Sequence, residues 1–193
     1  MDCRRVGKLI LNLRKEKGMT QKELADLMNI SDRTISKWER GLGCPDTSLL
    51  QELSQLLEVN IEKILQGNLE PNHADGGNMK KIKFYACRTC GSILYGTGES
   101  EISCCGRKLS PLPVQKTDKA HIIAVNEVEQ DFHIMIQHEM TKQHFISFVA
   151  YVSWDSVFFQ KLYPEQTPEL RIPKRQKGQF YFYCNQHGLF KKD

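Results

Sequence analysis

Cysteine and histidine near the end of the chain are spaced so that both could bind one metal ion. Cys184 and His187 are separated by two residues, in what reads as a β-strand running into a turn, and they offer a thiolate and an imidazole. A β-sandwich could bring three upstream histidines to the same point: His121, His138 and His144. Four imidazoles and one thiolate are too rich in nitrogen for a structural zinc site and suit a redox-active iron with one open position.

Each of these residues also has a purely structural interpretation. A histidine in a strand is usually a surface or hydrogen-bonded residue, and a lone cysteine usually packs as a small hydrophobe. We interpret His133, inside a predicted strand, in this way. The local sequence argues for the metal, because HEMTKQH at 138–144, an aromatic strand and CNQHG at 184–188 resemble the iron centre of superoxide reductases of the desulfoferrodoxin family.

The resemblance implies a mononuclear iron in an immunoglobulin-like β-sandwich, at which superoxide is reduced to peroxide by an electron from an unknown donor. The equatorial nitrogen ligands would be His121, His138, His144 and His187, and Cys184 would be the axial sulfur. The family usually has a Glu-Lys pair immediately before the first histidine, whereas this chain has Lys119-Ala120. A cation there concentrates the anion and assists its reduction, so Lys119 is the candidate catalytic residue. Glu139 also replaces a usual proline, and both turnover and mere sensing of superoxide remain open.

A second group of four cysteines lies earlier in the chain. Cys87 and Cys90 are separated by two residues, and the adjacent Cys104 and Cys105 follow after thirteen intervening residues. Four thiolates form a tetrahedral site whose binding energy can fold a small segment, and free thiols are the alternative. The adjacent pair resembles the desulforedoxin-type domain that opens many desulfoferrodoxins. The resemblance, which runs from residue 84 to 190, implies iron in this site, with zinc as the alternative.

Five helices are predicted in residues 1–67. Val6, Leu9, Ile10 and Leu13 recur at the spacing of one helical face. The later helices begin and end at local signals: a capping box from Thr20 to Glu23, Ser31, Gly41, Asp46, Asn60 and Gly67.

Two of the predicted helices form a helix-turn-helix, in which the second exposes polar and basic residues. A helical bundle without a role in DNA binding is the alternative. The segments TQKELA at 20–25, ISKWERG at 35–41 and LQG at 65–67 resemble the phage-repressor-like family of bacterial transcription regulators throughout residues 5–67. The resemblance implies binding to a double-stranded DNA operator, commonly as a homodimer on paired half-sites.

The same resemblance implies which side chains face DNA. The third helix would lie in the major groove with four side chains towards base edges: Asp32, Arg33, Thr34 and Lys37. Arg33 or Lys37 suits the acceptors of guanine. Phosphates would be held by Gln21, Ser36 and Arg40.

Composition divides the chain. Residues 1–41 hold ten Lys or Arg against six Asp or Glu, an excess of +4, and every Phe and Tyr lies at or after position 84. We expect a multidomain α + β protein with a helix-turn-helix domain at 1–67, a linker at 68–80, a desulforedoxin-like four-cysteine domain at 81–113 and a β-sandwich at 114–193.

No apolar run approaches the length of about 18 residues that a membrane span needs, so we expect a cytoplasmic protein without a membrane partner. The cytosol keeps thiols reduced, and Cys3 and Cys44 are therefore expected to be free. Three functions fit the sequence: a transcription regulator that senses superoxide, peroxide or iron status, an active superoxide reductase with a DNA-binding tether, and a metal-stapled dimerisation module.

Overall fold

A computed structural model describes residues 1–72, 79–175 and 177–192 of the chain. These residues form two compact units, Met1–Pro71 and Asn72–Asp193. The predicted linker at 68–80 lies partly outside the described residues. Among the described helices, none has both the length and the apolar character needed to cross a membrane.

The first unit contains five α-helices. They are α1 (Cys3–Glu16), α2 (Gln21–Leu27), α3 (Asp32–Glu39), α4 (Leu50–Leu57) and α5 (Ile61–Gln66), with a 3₁₀ turn at Thr47–Leu49. The capping box at the start of α2 is present, since Thr20 and Glu23 each accept a hydrogen bond from the other's backbone N–H. Ser31 caps α3 by accepting from Thr34 N–H at 3.2 Å. The predicted starts of α2 and α3 are therefore confirmed, because the Thr20 and Ser31 side chains accept hydrogen bonds from free backbone amides there.

One apolar core holds the five helices together. It includes Val6 and Ile10 of α1, Leu24 of α2, Ile35 of α3 and Leu53 of α4, which are fully buried. Gly7 permits the close approach of α1 to α3, because a Cβ there would lie 1.9 Å from the Trp38 carbonyl oxygen. The helical stripe predicted from the sequence is thus the face of α1 that contacts the other helices.

A buried ion pair fixes the third helix against the first. Arg14 Nε lies 2.5 Å from Glu39 Oε1, and both side chains are more than nine-tenths buried. Gln21 Nε2 donates to Glu39 Oε2 at 2.7 Å, which ties the start of α2 to the same carboxylate. Desolvation alone would raise the pKa of Glu39, but hydrogen bonds from Arg14 and Gln21 outweigh it and hold the pKa below its ordinary value.

The expectation of free thiols at Cys3 and Cys44 is wrong. Their sulfurs are bonded in a disulfide that spans 41 positions in sequence, with the two Cα atoms 4.9 Å apart. The bond joins the first residue of α1 to the loop after α3. That loop already contacts α1, since a Cβ at Gly41 would lie 2.8 Å from Arg4 Cα. The redox state of the cytosol does not indicate this pair, because the two cysteines come close together only when the helices pack.

The described residues of the second unit form twelve strands. They are β1 (Lys83–Ala86), β2 (Ile93–Gly96), β3 (Ile102–Cys104), β4 (Arg107–Leu109), β5 (Val114–Lys116), β6 (Ile122–Val128), β7 (Asp131–Gln137), β8 (Ile146–Val152), β9 (Val157–Lys161), β10 (Glu169–Pro173), β11 (Gln179–Cys184) and β12 (Gly188–Lys191). A short 3₁₀ turn, Met79–Lys81, precedes β1. The larger sheets have the orders β10-β7-β6 and β5-β12-β11-β8-β9, while β1-β2 and β3-β4 are separate hairpins.

Strand β8 shows how the layers pack. All seven of its residues are buried. Val149 and Tyr151 lie in one core with Ile134 of the three-stranded sheet, whereas Phe148 lies in a second core with Phe84 of β1. The five-stranded sheet is therefore covered on one face by the other sheet and on the other face by the β1-β2 hairpin, as a strand buried on both sides requires.

Candidate metal centres and nucleic-acid interface

Two of the predicted donors lie at one end of the β6-β7 hairpin. Ile122 pairs with Gln137 in the antiparallel register, so His121, just before β6, and His138, just after β7, lie side by side. Their ring centroids are 5.2 Å apart. His121 is also stacked on Phe190 at 4.1 Å between centroids, which buries its ring. The antiparallel register thus converts a separation of seventeen positions into contact.

The other three donors come from the five-stranded sheet. Cys184 ends β11 and pairs with Ile146 at the start of β8, two residues after His144. Cys184 also pairs with Gly188 of β12, so His187 lies in the tight turn that joins the two strands. Asn185 fixes this end, because its Oδ1 accepts from Phe145 N–H at 2.9 Å. Strand ends from both sheets therefore present their side chains to one place.

The donor atoms converge. His187 Nδ1 lies 3.1 Å from His121 Nε2 and 3.1 Å from His144 Nε2. Cys184 Sγ lies 3.2 Å from His144 Nε2 and 3.4 Å from His187 Nδ1. With His138 included, all five donor atoms lie within 4.8 Å of one another. Neighbouring nitrogen ligands of a single ion lie roughly 3 Å apart, because each metal–nitrogen bond is about 2.1 Å long.

His138 provides a test of whether these residues suit a metal. Among the described residues, its Nε2 is the buried side-chain nitrogen or oxygen without a hydrogen-bond partner. An unpartnered buried polar atom costs about 1–3 kcal/mol, and a metal bond to its lone pair would remove that cost. Burial lowers the pKa of His138, which favours the neutral imidazole that metals bind. The donor set therefore fits a metal ion.

The thiol of Cys184 is buried in the same place. Burial raises its pKa above the ordinary value of a thiol. A bound metal ion reverses that preference, because coordination removes the proton from a thiol. Metal binding at this centre should therefore release a proton.

The carboxylates beside the histidines were not identified from the sequence as site residues. Asp118 Oδ1 lies 2.8 Å from His121 Nδ1, and Glu139 Oε1 bonds to His144 Nδ1. A carboxylate three positions before a histidine is the local signal that could have indicated Asp118. The candidate catalytic residue, Lys119, is exposed in the turn before β6, so its side chain does not follow strand alternation.

The four early cysteines form a second cluster. Cys87 and Cys90 lie in the loop that joins β1 to β2, and Cys104 and Cys105 lie at the β3-β4 turn. Positive φ angles at Cys105 and Gly106, 50° and 73°, are typical of a tight two-residue hairpin turn. The four sulfurs lie within 4.8 Å of one another. This spacing suits a tetrahedral thiolate site, in which sulfurs are roughly 3.8 Å apart.

The loop around Cys90 favours thiolates. A hydrogen bond of 3.1 Å joins Cys90 Sγ to the Ser92 hydroxyl and, with further bonds, lowers the pKa of Cys90 to about 6. Backbone N–H groups of Cys90 and Thr89 lower the pKa of Cys87. Hydrogen bonds with the neighbouring sulfurs, of which the one with Cys90 has the largest effect, instead raise the pKa of Cys105 to about 12. Without a metal, the four sulfurs cannot all be thiolates at neutral pH, because their charges repel.

The residues predicted to face DNA divide by exposure. Four of them are exposed on or beside α3: Asp32, Arg33, Lys37 and Arg40. Thr34, Ser36 and Gln21 are half-buried. The Gln21 amide is engaged by Glu39, and Thr34 Oγ1 lies 2.9 Å from the Ser31 hydroxyl. Three positive side chains thus line the exposed side of the helix.

The first unit is similar to known helix-turn-helix proteins. The helix-turn-helix family matches residues 10–64. The HTH-type transcriptional regulator y4dJ of Sinorhizobium fredii is 41% identical over 61 residues, which are 31% of this chain and 79% of the relative. The HTH-type transcriptional activator BcrR of Enterococcus faecalis is 35% identical over 71 residues, 37% of this chain and 35% of the relative. The chain thus spans about a third of the length of BcrR.

The second unit has different relatives. A desulfoferrodoxin of Clostridium acetobutylicum is 26% identical over 121 residues, which are 58% of this chain and 96% of the relative. The crystal structure of the superoxide reductase from Treponema pallidum superposes with a TM-score of 0.53 at 20% identity, covering 59% of this chain and 99% of that chain. The likeness to this structure is one of fold.

Fold, site and relatives together define a two-module protein, a helix-turn-helix domain followed by a β-rich module with histidine and cysteine clusters that fit iron binding. The chain belongs to the helix-turn-helix family of transcription regulators, and its C-terminal module is desulfoferrodoxin-like and superoxide reductase-like. The predicted fold class, multidomain α + β, is confirmed.

Proposed function

We propose that the protein is a DNA-binding transcription regulator whose affinity for its operator depends on the state of an iron centre in the second unit. The observation that supports this most strongly is the convergence of four imidazoles and one thiol in a chain that also carries a helix-turn-helix domain. The signal would be superoxide, peroxide or iron status.

The five donors of the second unit would hold the iron: His121, His138, His144 and His187 by ring nitrogens and Cys184 by sulfur. Iron bound by this set supplies a one-electron ferrous–ferric couple. The thiolate of Cys184 would donate charge to the metal, and the buried Phe190 ring against His121 would keep water from that side. The electron donor is of unknown class.

The four cysteines of the β1-β2 and β3-β4 hairpins would bind a second metal. They are Cys87, Cys90, Cys104 and Cys105. Iron in this site could also store an electron, whereas zinc would act only as a structural staple. We favour iron, following the similarity to desulfoferrodoxin.

The first unit would bind double-stranded DNA as a homodimer on paired half-sites. Helix α3 would enter the major groove with Asp32, Arg33, Thr34 and Lys37 towards base edges, where Arg33 or Lys37 suits guanine. Gln21, Ser36 and Arg40 would hold phosphates and fix the register.

The second candidate function is superoxide reduction itself, which the fold of the second unit favours. In that case Lys119, exposed in the turn before His121, would draw the anion towards the centre. A pulse of superoxide should then reoxidise the ferrous protein rapidly. Slow reoxidation of the protein with its native Lys119 would exclude superoxide reduction and leave regulation as the remaining function.

The regulatory role is tested with anaerobically purified full-length protein. DNA sites are selected from a random duplex pool, and affinity for the selected duplex is measured by fluorescence anisotropy for ferrous, ferric and metal-free protein at one salt concentration. We expect a difference of at least about tenfold between two of these forms, a coupling of about 1.4 kcal/mol. Equal affinity of all three forms would contradict the proposal.

A further inference from the structure

In three of the four clustered histidines, the ring nitrogen Nδ1 forms a hydrogen bond with an oxygen atom. His121 Nδ1 bonds to the Asp118 carboxylate at 2.8 Å, and His144 Nδ1 bonds to the Glu139 carboxylate. His138 Nδ1 bonds to the backbone carbonyl oxygen of Glu139. Carboxylate and carbonyl oxygens accept hydrogen bonds, so each of these Nδ1 atoms carries the proton. Each Nε2 is therefore left with a free lone pair, the state in which an imidazole binds a metal.

Glu139 is the residue that serves two histidines at once. It directly follows His138 and precedes His144 by five positions, so its carbonyl reaches one ring and its side chain reaches the other. The intervening loop is held by His144 N–H, which donates to Thr141 Oγ1 at 3.0 Å. Glu139 thus sets the tautomer of two adjacent ligands from a single position.

Stability of the fold does not account for this contact. The Glu139 side chain is 59% exposed, and a polar contact at such a solvent-exposed position contributes little to the stability of the fold. The oxygen–imidazole bond instead fixes the ring and makes the nitrogen facing the metal a stronger donor, and losing such a partner typically costs about 10–100-fold in metal affinity.

The charge of the carboxylate adds a second effect. Asp118 and Glu139 place two anionic groups against imidazoles of the centre. Negative charge beside a metal favours the more positive oxidation state, so these groups should stabilise ferric over ferrous iron.

We infer that the Glu139 side chain is a positioning group of the His4Cys centre, which orients His144 for metal binding and, together with Asp118, shifts the centre towards the ferric state. The inference rests on the proposed iron centre, but not on the proposed control of DNA binding.

Three variants of the full chain test it. Glu139→Ala removes both the side-chain acceptor and its charge, whereas Glu139→Gln keeps an acceptor oxygen without the charge. Glu169→Gln is the matched control, because Glu169 Oε1 bonds at 2.5 Å to His133 Nε2, a histidine outside the cluster. Circular dichroism establishes that each variant is folded.

Iron affinity is measured by competition with a chelator, and the midpoint potential by optical titration of the absorption that depends on Cys184. We expect Glu139→Ala to lose about 10–100-fold in iron affinity. Glu139→Gln should keep most of the affinity and lose about tenfold in the preference for ferric iron, which raises the midpoint potential by about 59 mV. Glu169→Gln should change neither quantity.

The inference is overturned if both Glu139 variants match Glu169→Gln in affinity and potential. That result leaves regulation of DNA binding untouched, since DNA affinity is measured separately on the parent protein. Conversely, if the DNA affinity of the parent protein does not depend on the iron state, the Glu139 variants can still show the expected changes in iron affinity and midpoint potential. A parent protein that binds no iron at this centre would overturn both proposals together.

Discussion

Reduction of the Cys3–Cys44 disulfide should destabilise the helical unit by about 4 kcal/mol. The bond spans 41 positions. In a chain-entropy treatment, cross-linking a loop of that length removes about 13 cal/mol/K from the unfolded state, which is about 4 kcal/mol at 25 °C. A domain of this size typically has a total stability of only about 5–15 kcal/mol, so much of it would be lost.

Thermal unfolding of the full chain followed by far-ultraviolet circular dichroism measures this effect. All five α-helices of the described residues lie in the first unit, so the helical signal at 222 nm reports on that unit. A loss of 1 kcal/mol lowers Tm by about 4–8 °C in a domain of this size, and a phosphine reductant should therefore lower the helical transition by roughly 15–30 °C.

The control is a double variant, Cys3→Ser with Cys44→Ser. It should melt at the lower temperature with or without the reductant, because it has no bond to break. Thiol titration must show that the reductant opened the bond in the parent protein. A reduced parent that melts at the same temperature as the oxidised parent would refute the reasoning.

Three further predictions concern the first unit. Arg14→Ala should cost about 3–5 kcal/mol in urea denaturation because it leaves the Glu39 carboxylate buried without its cation, whereas Lys17→Ala, which removes the ion pair with the exposed Glu58, should cost about 0–1 kcal/mol. The Glu39 pKa is lowered, so its stabilising contribution is fully present above the ordinary pKa of 4.5 and is lost as pH falls through the lower folded value; urea titrations at several pH values should show this loss in the parent and not in Glu39→Gln. Arg33→Ala should relax selection at one base pair with a loss of about 1–3 kcal/mol, while Arg40→Ala should weaken all duplexes alike and reduce the salt slope by about 1, as measured by anisotropy.

Local signals were sufficient for the helical unit. A capping residue acts on amides two or three positions away, so Thr20 and Ser31 mark helix starts that the structure confirms. Glycine in the left-handed region likewise marks the end of α5 at Gly67, with φ at 71°. The Cys3–Cys44 bond could not be predicted in this way, because only the packing of α1 against the loop after α3 brings the two sulfurs together.

The β-rich unit was less accessible from local pattern. Seven of its described strands, β1 to β5, β10 and β12, were not predicted, and β5 is only three residues long with every residue exposed. The convergence of the five donors depends on strand register, which sequence alternation constrains only to one face. Family resemblance, not periodicity, supplied that set of residues. Asp118 was missed because its role depends on a ring orientation that the stacking on Phe190 imposes.

Metal analysis with an optical spectrum of the anaerobically purified protein, before and after oxidation, tests the central claim most directly. We expect iron in the parent protein and a sulfur-to-iron charge-transfer band in the ferric form that Cys184→Ser removes. Iron that is absent, or a ferric spectrum that is unchanged in Cys184→Ser, would contradict an iron centre built on His121, His138, His144, His187 and Cys184.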